Sequence, residues 1–185
     1  MKLLCSLILA LAIPSLAFAK APQNAPKAAA KSQPAANGFR SEFLTNLDDV
    51  QEKILDLAES LPADKYSWRP GPDVRSTSEV FMHIAGGNYF LATFLGKQAP
   101  PDMPKDLEKI TDKQQILAEL RRSFEHIRAA AMSASDADLE KAVQMFGAKT
   151  SQRGVFVTML NHLHEHLGQS IAYARMNGVV PPWSR

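Results

Sequence analysis

The stretch GVFVTMLNHLHEHLGQSIAYARM, Gly154 to Met176, carries three histidines at alternate positions, His162, His164 and His166. Its conformation decides which of them act together. In a strand all three share one face, because side chains alternate with period two. In a helix His162 and His166 lie about 40° apart and one turn apart in height, while His164 points away from both. Phe156, Leu160, Leu163, Leu167, Ile171 and Ala174 recur at spacings of three and four, so the stretch reads as a helix and His162 and His166 become the pair. Around that helix Asn161, Glu165 and Gln169 fall on a polar arc. A second, mixed arc holds Val155, Met159, His162, His166, Ser170 and Tyr173, as expected of a helix that touches two neighbours. His164 falls at the border between core and water.

Working outward, three more helices are legible. Phe43, Leu47, Val50, Ile54, Leu57 and Leu61 form one amphipathic stripe that stops at Leu61-Pro62. After the turn-rich run Arg69-Pro70-Gly71-Pro72-Asp73, Ser76 and Glu79 form a capping-box pattern. It opens a helix with Val80, Ile84, Leu91 and Leu95 on one side, ended by Gly96 and Pro100-Pro101. Thr111 with Gln114 predicts the start of a third helix, striped by Ile116, Leu120, Phe124, Ile127 and Ala131. Between Ser133 and Arg153 the pattern weakens: Asp136 to Val143 reads as a short helix, Gln144 to Gln152 as a loop or brief extended piece. The long helix ends at Asn177-Gly178, with Pro181-Pro182 beyond. Four long helices and no firm strand predict an all-α four-helix bundle, a fold that builds metal and cofactor sites from facing helices.

The N-terminus reads differently. Lys2, an apolar run from Leu3 to Phe18 and Ala17-Phe18-Ala19 make a secretory signal peptide over residues 1–19. The run is too short, and too interrupted by Pro14, for a comfortable membrane span of about 20 apolar residues. Residues 20–37, rich in Ala, Pro and Lys without a large apolar side chain, predict a disordered linker, and residues 38–185 one bundle domain. The expectation is export to a periplasmic or extracellular location, without stable membrane insertion after cleavage. The single cysteine, Cys5, leaves with the signal, which excludes disulfides, a thiolate nucleophile and Cys-ligated metal in the mature chain. Removing one Lys and no acid leaves 20 basic against 19 acidic residues, a formal +1, which argues against nucleic acid as a partner.

Neutral imidazoles at i and i+4 can share a divalent transition metal such as zinc, nickel or iron, and a third ligand from another helix leaves positions open for water or substrate. The same spacing also suits two hydrogen-bonded or surface histidines. On the second helix His83 lies beside Phe90 and Phe94, with Gly87 one turn on. A glycine inside a helix costs about 1 kcal/mol relative to alanine, so either something needs the space beside His83 or the helices pack closely at Gly86-Gly87. His126, next to Glu125 and Arg128, reads as a surface residue. Gln169 and Tyr173 are the candidate outer contacts to the site or to a substrate; no general base is evident, since Glu165 falls on the polar arc. The residues that shape a pocket would come from loops 62–75 and 96–111.

The run from Asn161 to Gln169, continuing to Arg175-Met176-Asn177-Gly178-Val179-Val180-Pro181-Pro182, resembles the last helix of the DinB/YfiT-like proteins, with their pattern H-x-x-x-H-x-G-Q and an N-G-x-x-P-P-like tail. Arg75 to Ile84 is similar to the family's second helix, which supplies its first histidine. The resemblance implies an up-down-down-up four-helix bundle with His83, His162 and His166 as metal ligands. Family members include thiol transferases and isomerases and metal-dependent hydrolases. The resemblance thus implies a metal-dependent hydrolase or transferase acting on a small molecule, or a non-catalytic exported bundle that binds metal or a small ligand. The export signal, and His164-Glu165 where many members carry a histidine just before the second ligand, weaken the thiol-transfer reading. Bundles of this kind often pair through apolar faces, so a homodimer is compatible with the sequence.

Overall fold

The structure is a computed structural model and describes residues 38–184. The expected signal peptide and linker lie outside the described residues. Four long helices carry the fold: α1 Phe39–Ser60, α2 Thr77–Thr93, α3 Lys113–Ser133 and, after a one-turn α4 (Asp136–Leu139) and a hairpin, α5 Gln152–Met176. The hairpin pairs β1 Ala142–Met145 with β2 Ala148–Ser151 in antiparallel register. No described helix is long and apolar enough to cross a membrane.

Pairwise contacts fix the direction of each helix. Phe39 and Phe43 at the start of α1 pack on Phe156 near the start of α5, with ring centroids 6.3 and 4.7 Å away, so these two helices run parallel. Lys113 at the start of α3 donates to Leu61 O just past the end of α1, and Arg40 donates to Ala134 O just past the end of α3, which makes α1 and α3 antiparallel. Tyr173 near the end of α5 donates to Arg75 O just before α2, so α2 and α5 are antiparallel. The result is the expected up-down-down-up bundle, in which the parallel α2 and α3 are joined by the crossover of residues 94–112. Each of α1 and α2 packs on both α3 and α5.

The stripes expected of α1 and α3 are wholly buried, and each Val, Leu, Ile or Phe side chain in them contributes roughly 1.5–3 kcal/mol. On α5 most of the expected stripe and of the mixed arc is buried, as a helix between two neighbours requires. Leu160 and Ile171 are only half-buried, whereas Val155, Met159, His166, Ser170 and Tyr173 are buried, because α5 sits between α1 and α2 and turns its mixed arc inward. The ends follow local chemistry. Ser76 and Glu79 form the predicted capping box on α2. The start of α3 differs by one residue: Asp112, not Thr111, caps it by accepting from Gln115 N. Gly178 stops α5 at a φ of 74°, with Gly178 N bonded to Arg175 O and Val179 N to Ala174 O, a left-handed closure that a residue bearing Cβ resists.

The hairpin corrects the short helix expected through Val143. Only Asp136–Leu139 is helical, under its own Ser135 cap, and Val143 lies in β1. The sequence hid the turn because its two residues are Phe146 and Gly147, at φ 52° and 81°. A two-residue turn with both φ positive ordinarily carries Asn-Gly or Asp-Gly. For Phe146 the left-handed conformation costs about 1–2 kcal/mol.

Candidate metal centre

His83 comes from the middle of α2, and His162 and His166 from the facing side of α5 one turn apart. Their rings meet: centroids lie 5.2 Å apart for His83 and His162, 4.7 Å for His83 and His166, and 4.6 Å for His162 and His166. One nitrogen from each ring falls within 4.8 Å of the other two, so the three form a group that could hold a metal ion. His83 Nε2 and His162 Nε2 are 3.3 Å apart. Two nitrogens bound to one tetrahedral ion at about 2.0–2.1 Å stand roughly 3.3 Å from each other, so this spacing fits.

Two of the rings are oriented from behind. His83 Nδ1 lies 3.1 Å from Glu108 Oε1, so the carboxylate accepts its proton and His83 Nε2 keeps a lone pair turned to the other histidines. Glu108 is itself paired with Arg75 at 3.2 Å. His166 Nδ1 donates to Gln169 Oε1 at 2.8 Å, Gln169 Nε2 donates to Tyr173 Oη at 3.0 Å, and Tyr173 Oη donates to Arg75 O at 3.1 Å. This relay sets the proton of His166 on Nδ1 and frees Nε2. It places the two sequence-predicted outer residues, Gln169 and Tyr173, behind His166.

His162 is held by shape instead. Its Nδ1 is buried without a hydrogen-bond partner among the described residues. A Cβ built on Gly87 would lie 2.2 Å from His162 Cε1 and 2.9 Å from both ring nitrogens. The space that Gly87 vacates is thus taken by His162 across the α2–α5 seam, not by His83 on its own helix. At Gly86 a Cβ would meet only Leu107 Cδ1, at 3.7 Å, an ordinary contact. Of the two sequence explanations for this glycine pair, one residue serves the histidine and the other lies beneath the crossover.

The site favours neutral imidazoles. Burial, then the neighbouring His166 and His83, press the pKa of His162 down to about 4. Burial and the Arg75 charge lower that of His83, against the opposing pull of Glu108. Neutral rings with lone pairs turned toward one another are the form in which histidine binds metal.

Glu108 is the site residue that the sequence did not disclose. It lies in a single 3-10 turn, Leu107–Lys109, within the crossover, where no periodic pattern gives its direction. Its neighbourhood is the expected one, since Arg75 and Glu108 come from the two loops named as pocket-forming. A cleft of about 380 Å³ opens beside them, lined by Met82, His83, Gly86, Gly87 and Phe90 of α2 and by residues 105–108. Outside the site, Glu165 is exposed as expected, and His164, expected at the border of core and water, is exposed and bonded to Leu160 O. His126 is not at the surface: only 9 % of it is exposed, with its ring edge-on to Tyr89 at 5.2 Å.

The sequence model described as the DinB superfamily matches residues 46–170. An uncharacterized protein of Bacillus subtilis, YjoA, is 26 % identical over 147 residues, covering 77 % of this chain and 91 % of its own. Among solved structures, a DinB-like protein from Bacillus cereus superposes with a TM-score of 0.68 at 20 % identity, over 76 % of this chain and 93 % of its own. YjoA itself superposes at 0.57 with 23 % identity, over 77 % and 92 % of the two chains. A conserved protein from Enterococcus faecalis does so at 0.60 with 13 % identity, over 76 % and 97 %. These structures share the bundle, and the match across two thirds of the sequence places the chain in the DinB superfamily.

Proposed function

We propose that this protein is an exported metalloprotein in which His83, His162 and His166 hold one divalent transition-metal ion, and that it acts as a metal-dependent hydrolase or transferase on a small molecule. The observation that carries the reading is the convergence of three imidazoles from two helices, with Glu108 and Gln169 fixing two of them by their outer nitrogens and Gly87 vacating room for the third. Three protein ligands leave coordination positions for water or substrate, the arrangement of catalytic rather than closed structural sites. A bound ion would supply a Lewis acid that polarises a substrate oxygen or lowers the pKa of water. The chain's own residues orient and enclose. Glu108 and the Gln169–Tyr173 relay keep the His83 and His166 protons on Nδ1, and the cleft beside α2 admits a small molecule from one side. Export rests on the N-terminal pattern of residues 1–19.

Metal content by mass spectrometry on the purified protein tests the site. About one ion per chain is expected, and a His83→Ala/His162→Ala double variant is expected to lose it. Equal, substoichiometric metal in both would sink the proposal.

One observation favours a second reading, a non-catalytic exported bundle that binds metal or a small ligand. Glu108, the carboxylate hydrogen-bonded to the triad, is already shared between His83 and Arg75, which limits it as a general base. Metal-dependent ligand binding without turnover in a screen of ester, amide and thiol-transfer substrates would select this reading.

A further inference from the structure

The face of α2 that carries His83 does not end at the triad. His83, Gly87, Phe90 and Phe94 follow one another at spacings of four, three and four, a single stripe along the helix. Phe90 lines the same cleft as His83, and it is 53 % exposed. Phe94 lies edge-on to it, with centroids 5.4 Å apart. The hairpin tip then brings Phe146 over both rings, at 6.1 Å from Phe90 and 5.6 Å from Phe94.

Phe146 is the least expected of the three. It occupies a left-handed turn position at φ 52° and remains 67 % exposed, so it recovers little of that strain by burial. Strain kept without a packing return is a feature of binding sites. The exposed parts of three rings sum to a few hundred Å² at most, well below the 1,200 Å² or so at the lower end of stable protein interfaces. A second copy of the chain would need far more surface than this patch offers. A small molecule whose other end reaches the triad does not.

We propose that Phe90, Phe94 and Phe146 hold the apolar arm, an acyl chain or aryl group, of the molecule whose polar head engages the His83–His162–His166 site. This rests on the metal-site reading and adds the substrate's class. At 1.5 Å per residue, Phe90 and Phe94 lie about 10 and 16 Å along α2 from His83, which sets the reach of the arm. Gly86, Gly87 and Leu107 supply an apolar floor to the cleft, whose lining also includes Lys105, Asp106 and Glu108.

The test compares acetohydroxamate with octanohydroxamate, the same metal-binding head on a short and a long chain, by calorimetry on the zinc-loaded protein, with zinc content measured on the same sample. Octanohydroxamate is expected to bind at least about 30-fold more tightly, from partial burial of its extra methylenes. A Phe90→Ser/Phe146→Gly variant should reduce the ratio to about 3-fold or less and leave acetohydroxamate unchanged. Phe146→Gly alone relieves the turn and should fold at least as well as the parent, so a reduced ratio there is a local loss. Equal affinities with stoichiometric zinc would overturn the apolar arm while leaving the metal site standing; absent zinc would remove the metal site and the arm with it. The proposal also falls if the Phe90 variant changes the sedimentation state or binding to phosphatidylglycerol vesicles while the hydroxamate ratio holds.

Discussion

Against α3, helix α2 places Asn88 and Tyr89; against α5 it places His83 and Gly87. In the first seam polar groups close on one another: Asn88 Nδ2 donates to Ser123 Oγ at 3.0 Å, and Tyr89 Oη to Glu119 Oε1 at 2.8 Å, all four residues being buried. In the second seam the inner nitrogens face one another, with His83 Nε2 and His162 Nε2 3.3 Å apart, and the outer nitrogens of His83 and His166 are bonded to Glu108 and Gln169. One helix therefore has a seam whose donors, Asn88 Nδ2 and Tyr89 Oη, are spent on stability and a seam whose polar groups are held in reserve. Buried polar atoms cost free energy unless paired, so the second arrangement is retained against a stability gradient. That is what a binding site requires and a structural contact does not.

The largest expected contrast comes from deleting one group in each seam. His162→Ala should lower metal affinity by more than about 100-fold, beyond the 10–100-fold usual for changes behind a ligand, and should leave the metal-free protein close to its parent in stability. Tyr89→Ala should do the reverse, destabilising by about 3–5 kcal/mol as large aromatic truncations do while leaving metal stoichiometry intact. Urea titration of the metal-free proteins, with zinc competition against a chromophoric chelator, reads both axes. If His162→Ala destabilised as strongly as Tyr89→Ala, the two seams would be alike and the reserve would not exist.

The two adjacent glycines sharpen the contrast with a single methyl group. Gly87→Ala drives a Cβ into the His162 ring and should displace it, lowering zinc affinity at least about tenfold. Gly86→Ala meets only the end of Leu107 and should raise stability by up to about 1 kcal/mol through helix propensity, with zinc binding unchanged. Equal effects of the two would mean that the pair serves close packing alone. Smaller again is Tyr89→Phe, which removes a donor from Glu119 and should cost about 1–2 kcal/mol without touching the metal.

How far these seams could be read from the sequence depends on what carries the information. Helix α5 was legible because six apolar residues at spacings of three and four outvote a strand, and the same count singles out His162 and His166. His83 joined them through the resemblance of the Arg75–Ile84 stretch, since nothing in its spacing ties it to a helix 80 residues away. Gly87 was legible as a cost without its beneficiary, because a helical wheel shows one helix and the beneficiary stands on another. Glu108 was not legible: its direction depends on a 3-10 turn within an aperiodic crossover. The hairpin was masked by a phenylalanine where turn chemistry asks for Asn, Asp or Gly.

His126 was misread for a related reason, and it gives the smallest test of the comparison. Glu125 and Arg128 beside it suggest a solvent face, yet helix α3 also packs on α2, and that second contact brings the ring under Tyr89. Its Nε2 is buried without a partner among the described residues, as is Asn88 Oδ1, so here the α3 seam resembles the α5 seam. Burial, then the charges of Lys97 and Arg122, lower its pKa below the usual 6.5 or so. The unfolded chain therefore takes up this proton first as pH falls. The stability contributed by neutral His126 is fully present above about pH 6.5 and is lost as pH drops from there toward the folded pKa, at no more than about 1.4 kcal/mol per pH unit for one proton. His83 and His162, whose pKa values are also lowered, contribute with the same sign, so the measurement is a difference: urea midpoints of the metal-free protein and of His126→Gln between pH 7.5 and 5. The parent should lose more stability than the variant across that range. Zinc should shift the triad's share and leave the His126 difference unmoved, because the two lie in different seams of α2; if zinc abolished the difference, the seams would be energetically coupled and the division between them would fail.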